Sequence, residues 1–454
     1  MNIKAISTSM LAGKARHAPL SVRISFLATA MLFIAGPVGG LELNAKQAKT
    51  AVQVPAEKAN SQSAESTDAL VKLLEHATEQ LPVDYDPPGT EPGTIPPLAA
   101  LGPVPVPADN LMTPEKVELG KLLFFDGRLG GDTSTACVAC HLPSTGWDFP
   151  TGISMGYPGT VHWRNSQTIV NSAYYGKLFW AGSSKSLEAQ ARSAARGAVA
   201  GNGEEDMMEA RLAIIPDYRE RFLSVFGDEW PRLGNAWNAI AAFERILVQR
   251  DTPLDRYLLG DETALTEQQV RGEALFEGKA GCLQCHNGSL ASDEKYYNTG
   301  VPPQPRWEND ALAQITFRYE LYGKGVSEKQ YRELKADPGA YFRGKISSME
   351  GVFRTPSLRY TKYTAPYMHN GTIPTLEAVV DFYDRGGVTE DGRTTDFSKT
   401  KSPLIKPLGL EPREKADLVA FIEAFSGERL AMERPKLPDY APLFTEQELL
   451  EASK

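Results

Sequence analysis

The chain has 454 residues, 42% hydrophobic and 23% charged, enough apolar material for two or three domains with cores of their own, which excludes wholesale disorder. Its formal net charge is −9, and because residues 1 to 40 hold Lys4, Lys14, Arg16 and Arg23 and no acid, the remainder carries −9 less these four, −13. That acidic body excludes nucleic acid as the partner, since phosphate contacts need a surplus of Lys and Arg, and it leaves a basic protein partner open.

Residues 1 to 40 read as an export signal: a basic region ending at Arg23, an apolar run from Ile24 to Ala35, then Gly36-Pro37 and small residues at Gly39 and Gly40. The run is about twelve residues, short of the roughly 20 that a membrane span needs. The expectation is a cleaved signal and a periplasmic protein, with an uncleaved N-terminal anchor as the alternative. Nothing later in the sequence is continuous enough to span a bilayer.

Residues 41 to 110 form a Pro-rich extension with one helical stretch around Ala69 to Gln80. From Pro82 through Pro107, Pro and Gly recur too often for a helix interior, and the stretch reads as an extended segment or a linker, without chemistry. Residues 111 to 252 read as a first helical unit, with helices over Pro114 to Phe125, where Pro occupies the first turn, Met207 to Phe226 and Asn235 to Val248. After a polar joint from Asp251 to Leu265, residues 253 to 430 read as a second unit, with helices over Thr266 to Phe276, from about Thr375, and over Glu414 to Phe425. Residues 431 to 454 are a Pro-broken tail. Strand signals are few, so the expected fold class is mainly α.

The four cysteines stand in two copies of one motif, Cys137-Val138-Ala139-Cys140-His141 and Cys282-Leu283-Gln284-Cys285-His286, one in each unit. Two cysteines three apart can form thioethers to both vinyl groups of one haem while the following histidine reaches the iron, so CxxCH reads as c-type haem attachment. Zinc is the first competing reading, but it needs four ligands close in space, and 145 residues separate Cys137 from Cys282. Thiol redox chemistry is the second, and its usual βαβ context is missing. Haem attachment is completed outside the cytoplasm, which agrees with the export signal. With His141 and His286 as proximal ligands, the remaining histidines are His17, His76, His162 and His369, so second axial ligands must come from His162, His369, a methionine or a tyrosine.

From about Thr113 to Phe425 the sequence resembles the bacterial dihaem cytochrome c peroxidases and their MauG-type relatives. The resemblance rests on Leu119-Gly120-Lys121-Leu122-Leu123-Phe124-Phe125-Asp126, Leu178-Phe179-Trp180, Phe353-Arg354-Thr355-Pro356-Ser357-Leu358-Arg359 and Thr364-Ala365-Pro366-Tyr367-Met368-His369-Asn370-Gly371, in this order around both haem motifs. It implies two cytochrome c-like domains packed together and two covalently bound haem c groups. The first haem would be the peroxide site and the second the electron-transfer site. Trp180, 39 residues after His141, matches the family's bridging tryptophan, and Gln190 matches a family position in the peroxide pocket. Asn165, Thr364 and Pro366 match the ligands of an interdomain Ca2+, for which oxygen donors are suited.

The family's peroxidases carry an axial methionine fourteen residues after the histidine matching His369, where this sequence has Tyr383. The MauG-type branch has tyrosine there, and phenolate ligation lowers the potential. Met368 is the fallback ligand, and His369 is expected to hydrogen-bond rather than ligate. The first site departs from the pattern twice. Tyr157 replaces the distal histidine, and His162 substitutes only if its loop swings in. Ala200 replaces the distal glutamate; Glu204 or Glu205 either supplies the acid from a rerouted chain or is a solvated helix-start acid.

The resemblance thus implies an exported oxidoreductase that reduces hydrogen peroxide with electrons from a small cytochrome c or cupredoxin. Oxidation of a residue in a target protein, as in MauG, is the alternative, and a dihaem electron carrier without catalysis is the reading from another class.

Overall fold

The computed structural model describes residues 59–85, 93–157 and 159–440; the predicted export signal and His17 lie outside them. The described helices are α1 (Ala59–Thr78), α2 (Pro114–Phe125), α3 (Leu187–Arg196), α4 (Glu205–Ala213), α5 (Pro216–Phe226), α6 (Leu233–Arg245), α7 (Pro253–Leu258), α8 (Glu267–Glu277), α9 (Arg306–Asn309), α10 (Ala311–Gly323), α11 (Glu328–Glu333), α12 (Tyr341–Gly344), α13 (Leu376–Asp384) and α14 (Pro412–Glu423). Strands are confined to two antiparallel pairs of two residues: β1 (Met155–Gly156) with β2 (Thr160–Val161), and β3 (Tyr296–Tyr297) with β4 (Phe353–Arg354). The fold is mainly α, as the patterning predicts.

Local chemistry sets the helix ends. Thr113 caps α2 by accepting from the Lys116 N–H, with Pro114 at the first position, and Thr266 and Gln269 make a reciprocal capping box on α8. The single helix expected over Met207 to Phe226 is instead α4 and α5. The break falls where Pro216, which cannot donate to a preceding turn, starts the second of them.

The same packing device occurs twice. The helix leading into each CxxCH motif crosses a later helix at a glycine: a Cβ on Gly120 of α2 would overlap the Ala239 carbonyl of α6, and one on Gly272 of α8 would overlap the Asp417 carbonyl of α14. Around the first pair lies a core that includes Leu123, Phe124, Trp147, Phe222, Ile240 and Phe243; around the second lies one that includes Leu254, Phe276, Val380, Leu418, Phe421 and Phe425. The described residues belong to one compact unit.

The Pro-rich segment is extended, and of the two sequence readings it is the docked segment and not the free linker. Leu98, Ala100, Leu101 and Val104 are buried, and Leu98 pairs with Gly288 beside the second motif. Arg250 donates to the Leu101 carbonyl at 3.0 Å, and Arg359 to the Ala99 carbonyl at 3.2 Å. Part of the tail is likewise docked: the Trp147 indole donates to the Leu430 carbonyl at 2.9 Å, and Arg128 to that of Pro438 at 2.7 Å.

Candidate functional site: two cysteine-lined cavities

Each CxxCH motif lies on a short 3-10 turn, Cys137–Ala139 and Cys282–Gln284, which places its two thiols and the next histidine on one cavity. Cys137, Cys140 and His141 line a cavity of about 410 Å³, and Cys282, Cys285 and His286 line one of about 400 Å³. The imidazole Nδ1 of His141 lies 3.1 Å from the Trp147 carbonyl, and that of His286 lies 3.1 Å from the Ala291 carbonyl. Only a protonated Nδ1 can bond a carbonyl, so Nε2 keeps its lone pair, the arrangement a metal-binding histidine needs. Burial lowers the His141 pKa to about 4 and lowers that of His286, so both rings are neutral. It pushes the Cys137 and Cys282 thiols up to about 12 and Cys285 to about 11, the opposite of what thiolate redox chemistry or zinc requires. Two cavities, each with paired thiols and one oriented imidazole, fit two c-type haems.

The two cavities share a wall. Trp180, Tyr175, Arg354 and residues 165 to 168 line both of them. The Trp180 indole donates to the Asn165 carbonyl at 2.9 Å and meets the His369 ring edge-on at 6.4 Å. The Arg354 guanidinium lies 3.9 Å over the Tyr175 ring and is 1% exposed. Sequence reasoning quoted Arg354 only as part of a motif and passed over Tyr175; a lone basic residue and a lone aromatic gave no signal of this position.

In the second cavity Leu376, Val379 and Tyr383 lie on the cavity side of α13, and Val380 joins the core. Burial raises the Tyr383 phenol to about 12. Met368 and His369 line the same cavity. The His369 ring is stacked on Phe353 at 3.7 Å, and burial lowers its pKa to about 3. Asn165, Thr364 and Pro366 all line this cavity, and the buried Asn165 Nδ2 has no hydrogen-bond partner. The Asn165 amide oxygen and the two main-chain carbonyls would be donors of the kind calcium takes, whereas Nδ2 is a hydrogen-bond donor and not a cation ligand.

In the first cavity the structure revises the expectations. Gln190 and Ala200 line it, but Tyr157 does not, and neither do Glu204 and Glu205. Glu205 faces outward and pairs with Arg192 at 2.7 Å, because α4 begins there and its first-turn acid meets the basic end of α3. His162 lines the cavity, held by stacking on Trp163 at 4.1 Å. Glu244, Glu320 and Lys324 line it as well.

The comparisons with known proteins agree with this geometry. Residues 114–263 match the family model described as di-haem cytochrome c peroxidase. The chain is 57% identical to cytochrome-c peroxidase IdrP1 of Denitromonas iodatirespirans over 356 residues, covering 78% of this chain and 93% of the relative. It is 36% identical to the methylamine utilization protein MauG of Methylorubrum extorquens over 337 residues, covering 74% and 85%. Among solved structures, a MauG-like protein associated with microbial copper homeostasis superposes with a TM-score of 0.60 at 30% identity, covering 77% of this chain and 97% of that one. Two cysteine-lined cavities on a common wall, together with these relatives, place the chain in the dihaem cytochrome c peroxidase family.

Proposed function

We propose that this protein is an exported, periplasmic peroxidase that reduces hydrogen peroxide at the His141 site with electrons entering at the His286 site. The observation that carries the reading is Trp180, whose side chain lines both cavities. When bound, the two haems supply the redox chemistry: one meets peroxide and the other relays electrons from the donor.

The residues of the chain do the rest. His141 and His286 present Nε2 to the iron because a carbonyl holds each Nδ1. Gln190 offers its amide to the peroxide oxygens, and Tyr383 offers its phenolic oxygen to the second iron. Arg354 would offer a buried positive charge to an anionic group of a cofactor held in either cavity. Asn165, Thr364 and Pro366 bind Ca2+ beside the shared wall. The donor is a small cytochrome c or cupredoxin, and a basic face on it would suit the acidic body. Among the described residues no helix is long and apolar enough to cross a membrane, which is compatible with a soluble holoprotein after signal cleavage.

A second reading, MauG-like oxidation of a residue in a target protein, is favoured by Tyr383 on the second cavity. Steady-state oxidation of a reduced small cytochrome or copper protein on addition of peroxide separates the readings. Multiple turnovers support the peroxidase. A persistent peroxide-induced spectrum that neither donor discharges supports the MauG-like reading, and no spectral response leaves only an electron carrier.

A further inference from the structure

Ala200 presents a methyl group to the first cavity where the family resemblance calls for an acid, so any group that moves a proton between the peroxide oxygens must come from elsewhere. Among the described residues, two carboxylates line this cavity, Glu244 and Glu320. Glu244 is 4% exposed and its Oε2 has no partner, so no hydrogen bond links that oxygen to the surface. Glu320 is differently placed. Its side chain is 15% exposed and pairs at 2.9 Å with Lys324, whose own side chain is 46% exposed, so the pair joins the cavity to the outside.

The packing explains why a residue 179 positions beyond His141 reaches this wall. Phe317 and Leu321, on either side of Glu320 along α10, are buried in one cluster with Trp163, Val199, Trp307 and Val326. Val199 adjoins Ala200 and Trp163 adjoins His162, so the cluster brings Glu320 to the cavity that Ala200 and His162 also line. Lys324 lies 5.0 Å over the Trp163 ring, which in turn stacks on His162.

His162 has the reverse hydrogen bonding of the two proximal histidines. Its Nδ1 accepts from the Arg164 backbone N–H at 3.1 Å, so the proton of the neutral ring sits on Nε2. An Nε2–H is a hydrogen-bond donor and cannot ligate iron.

Building on the peroxidase reading, we propose that Glu320 and His162 are the acid–base pair of the first site, Glu320 carrying the proton and His162 donating to the departing oxygen. The Glu320 carboxylate takes a proton from one oxygen of hydrogen peroxide and delivers it to the other. The O–O bond breaks and its electron pair leaves on the departing oxygen, which goes as water. Two electrons from the donor protein and two protons from solvent complete the reduction, so each peroxide yields two waters. Positioned proton transfer of this kind contributes on the order of 10²–10⁴-fold.

The test uses the holoprotein with both haems and two readouts: the rate of reaction with peroxide, and the rate of cyanide association with the oxidised protein. Hydrogen cyanide must lose its proton as it binds, so the second readout reports the base without turnover. Glu320→Gln should slow both by on the order of 10²-fold with the resting spectrum unchanged, and Glu320→Asp should recover part of each. His162→Gln should slow the peroxide reaction without changing the resting spin state. Wild-type rates in Glu320→Gln, or a loss carried by Glu244→Gln instead, would overturn the assignment of Glu320. A spin-state change in His162→Gln would make His162 a ligand and overturn its role as donor. If the wild type ignores peroxide but binds cyanide faster than Glu320→Gln does, the peroxidase reading fails while Glu320 remains the base of the site.

Discussion

The Nε1–H of Trp180 donates to the backbone carbonyl of Asn165 at 2.9 Å, which fixes the indole that lines both cavities against a residue whose own side chain is a calcium ligand candidate. A cation held at Asn165 would therefore be tied through one peptide to the indole. Replacing the indole by a phenyl ring keeps an aromatic group but removes the readily oxidised one between the two sites, without touching either set of cysteines. Trp180→Phe should slow electron exchange between the haems by about 10-fold or more, a barrier change of about 1.4 kcal/mol, and leave both resting spectra in place. Flash reduction followed at the two haem bands measures it.

Because Asn165 holds the indole through its main chain, loss of a calcium ion from Asn165, Thr364 and Pro366 should act through the bridge. Chelation by EGTA should slow interhaem electron exchange in the wild type, and added Ca2+ should restore it. In Trp180→Phe the same treatment should have little further effect, which distinguishes a coupled site from general loosening.

Tyr383 stands on the second cavity with a phenol raised by burial to about 12, so only a nearby cation will make it a phenolate. Tyr383→Phe should change the visible and EPR spectra of one haem and leave the other as it was. Met368→Leu should leave both unchanged; a shift there would assign the ligand to Met368.

Arg359 and Asp255 form an ion pair with both side chains 1% exposed, at 2.8 Å through two nitrogens, and the same two residues bond the Ala99 carbonyl and the Leu101 N–H of the extension. Removing one partner strands a buried charge. Arg359→Met should lower unfolding free energy by about 3–5 kcal/mol, read as a lower urea midpoint, whereas surface pairs such as Arg332 with Glu328 should be worth less than about 1 kcal/mol.

Burial lifts the Glu244 carboxyl from near 4.5 to about 8, so the folded state holds a proton that the unfolded chain releases. The resulting stability is fully present below the unfolded value and is lost as pH rises through the folded one. Thermal stability of the wild type should therefore fall between about pH 5 and 8 relative to Glu244→Gln, in which this contribution is absent.

Much of this was legible in the sequence, for identifiable reasons. Thr113 and Pro114 mark the start of α2 through hydrogen bonds made within four residues, and the paired CxxCH motifs carry their whole chemistry in five. Helical spacing puts Leu376, Val379 and Tyr383 on one side of α13, which the sequence already implies. The break at Pro216 was also visible and was overlooked in favour of amphipathic continuity. What the sequence could not show was set by tertiary packing. Glu320 belongs to the first cavity only because Phe317 and Leu321 pack with Val199 and Trp163, and nothing local to α10 signals that contact. His162 likewise depends on a stacked neighbour and a main-chain N–H, neither of which a motif records.

The central claim, that electrons cross the Trp180 wall from the second site to peroxide at the first, is tested most directly in a single turnover. The second haem alone is reduced, one equivalent of peroxide is added in a stopped-flow spectrometer, and both haem bands are followed. The account predicts that the second haem is oxidised without any donor present, at a rate that falls in Trp180→Phe. A second haem that stays reduced while peroxide is consumed, or one oxidised at the same rate in Trp180→Phe, would contradict it.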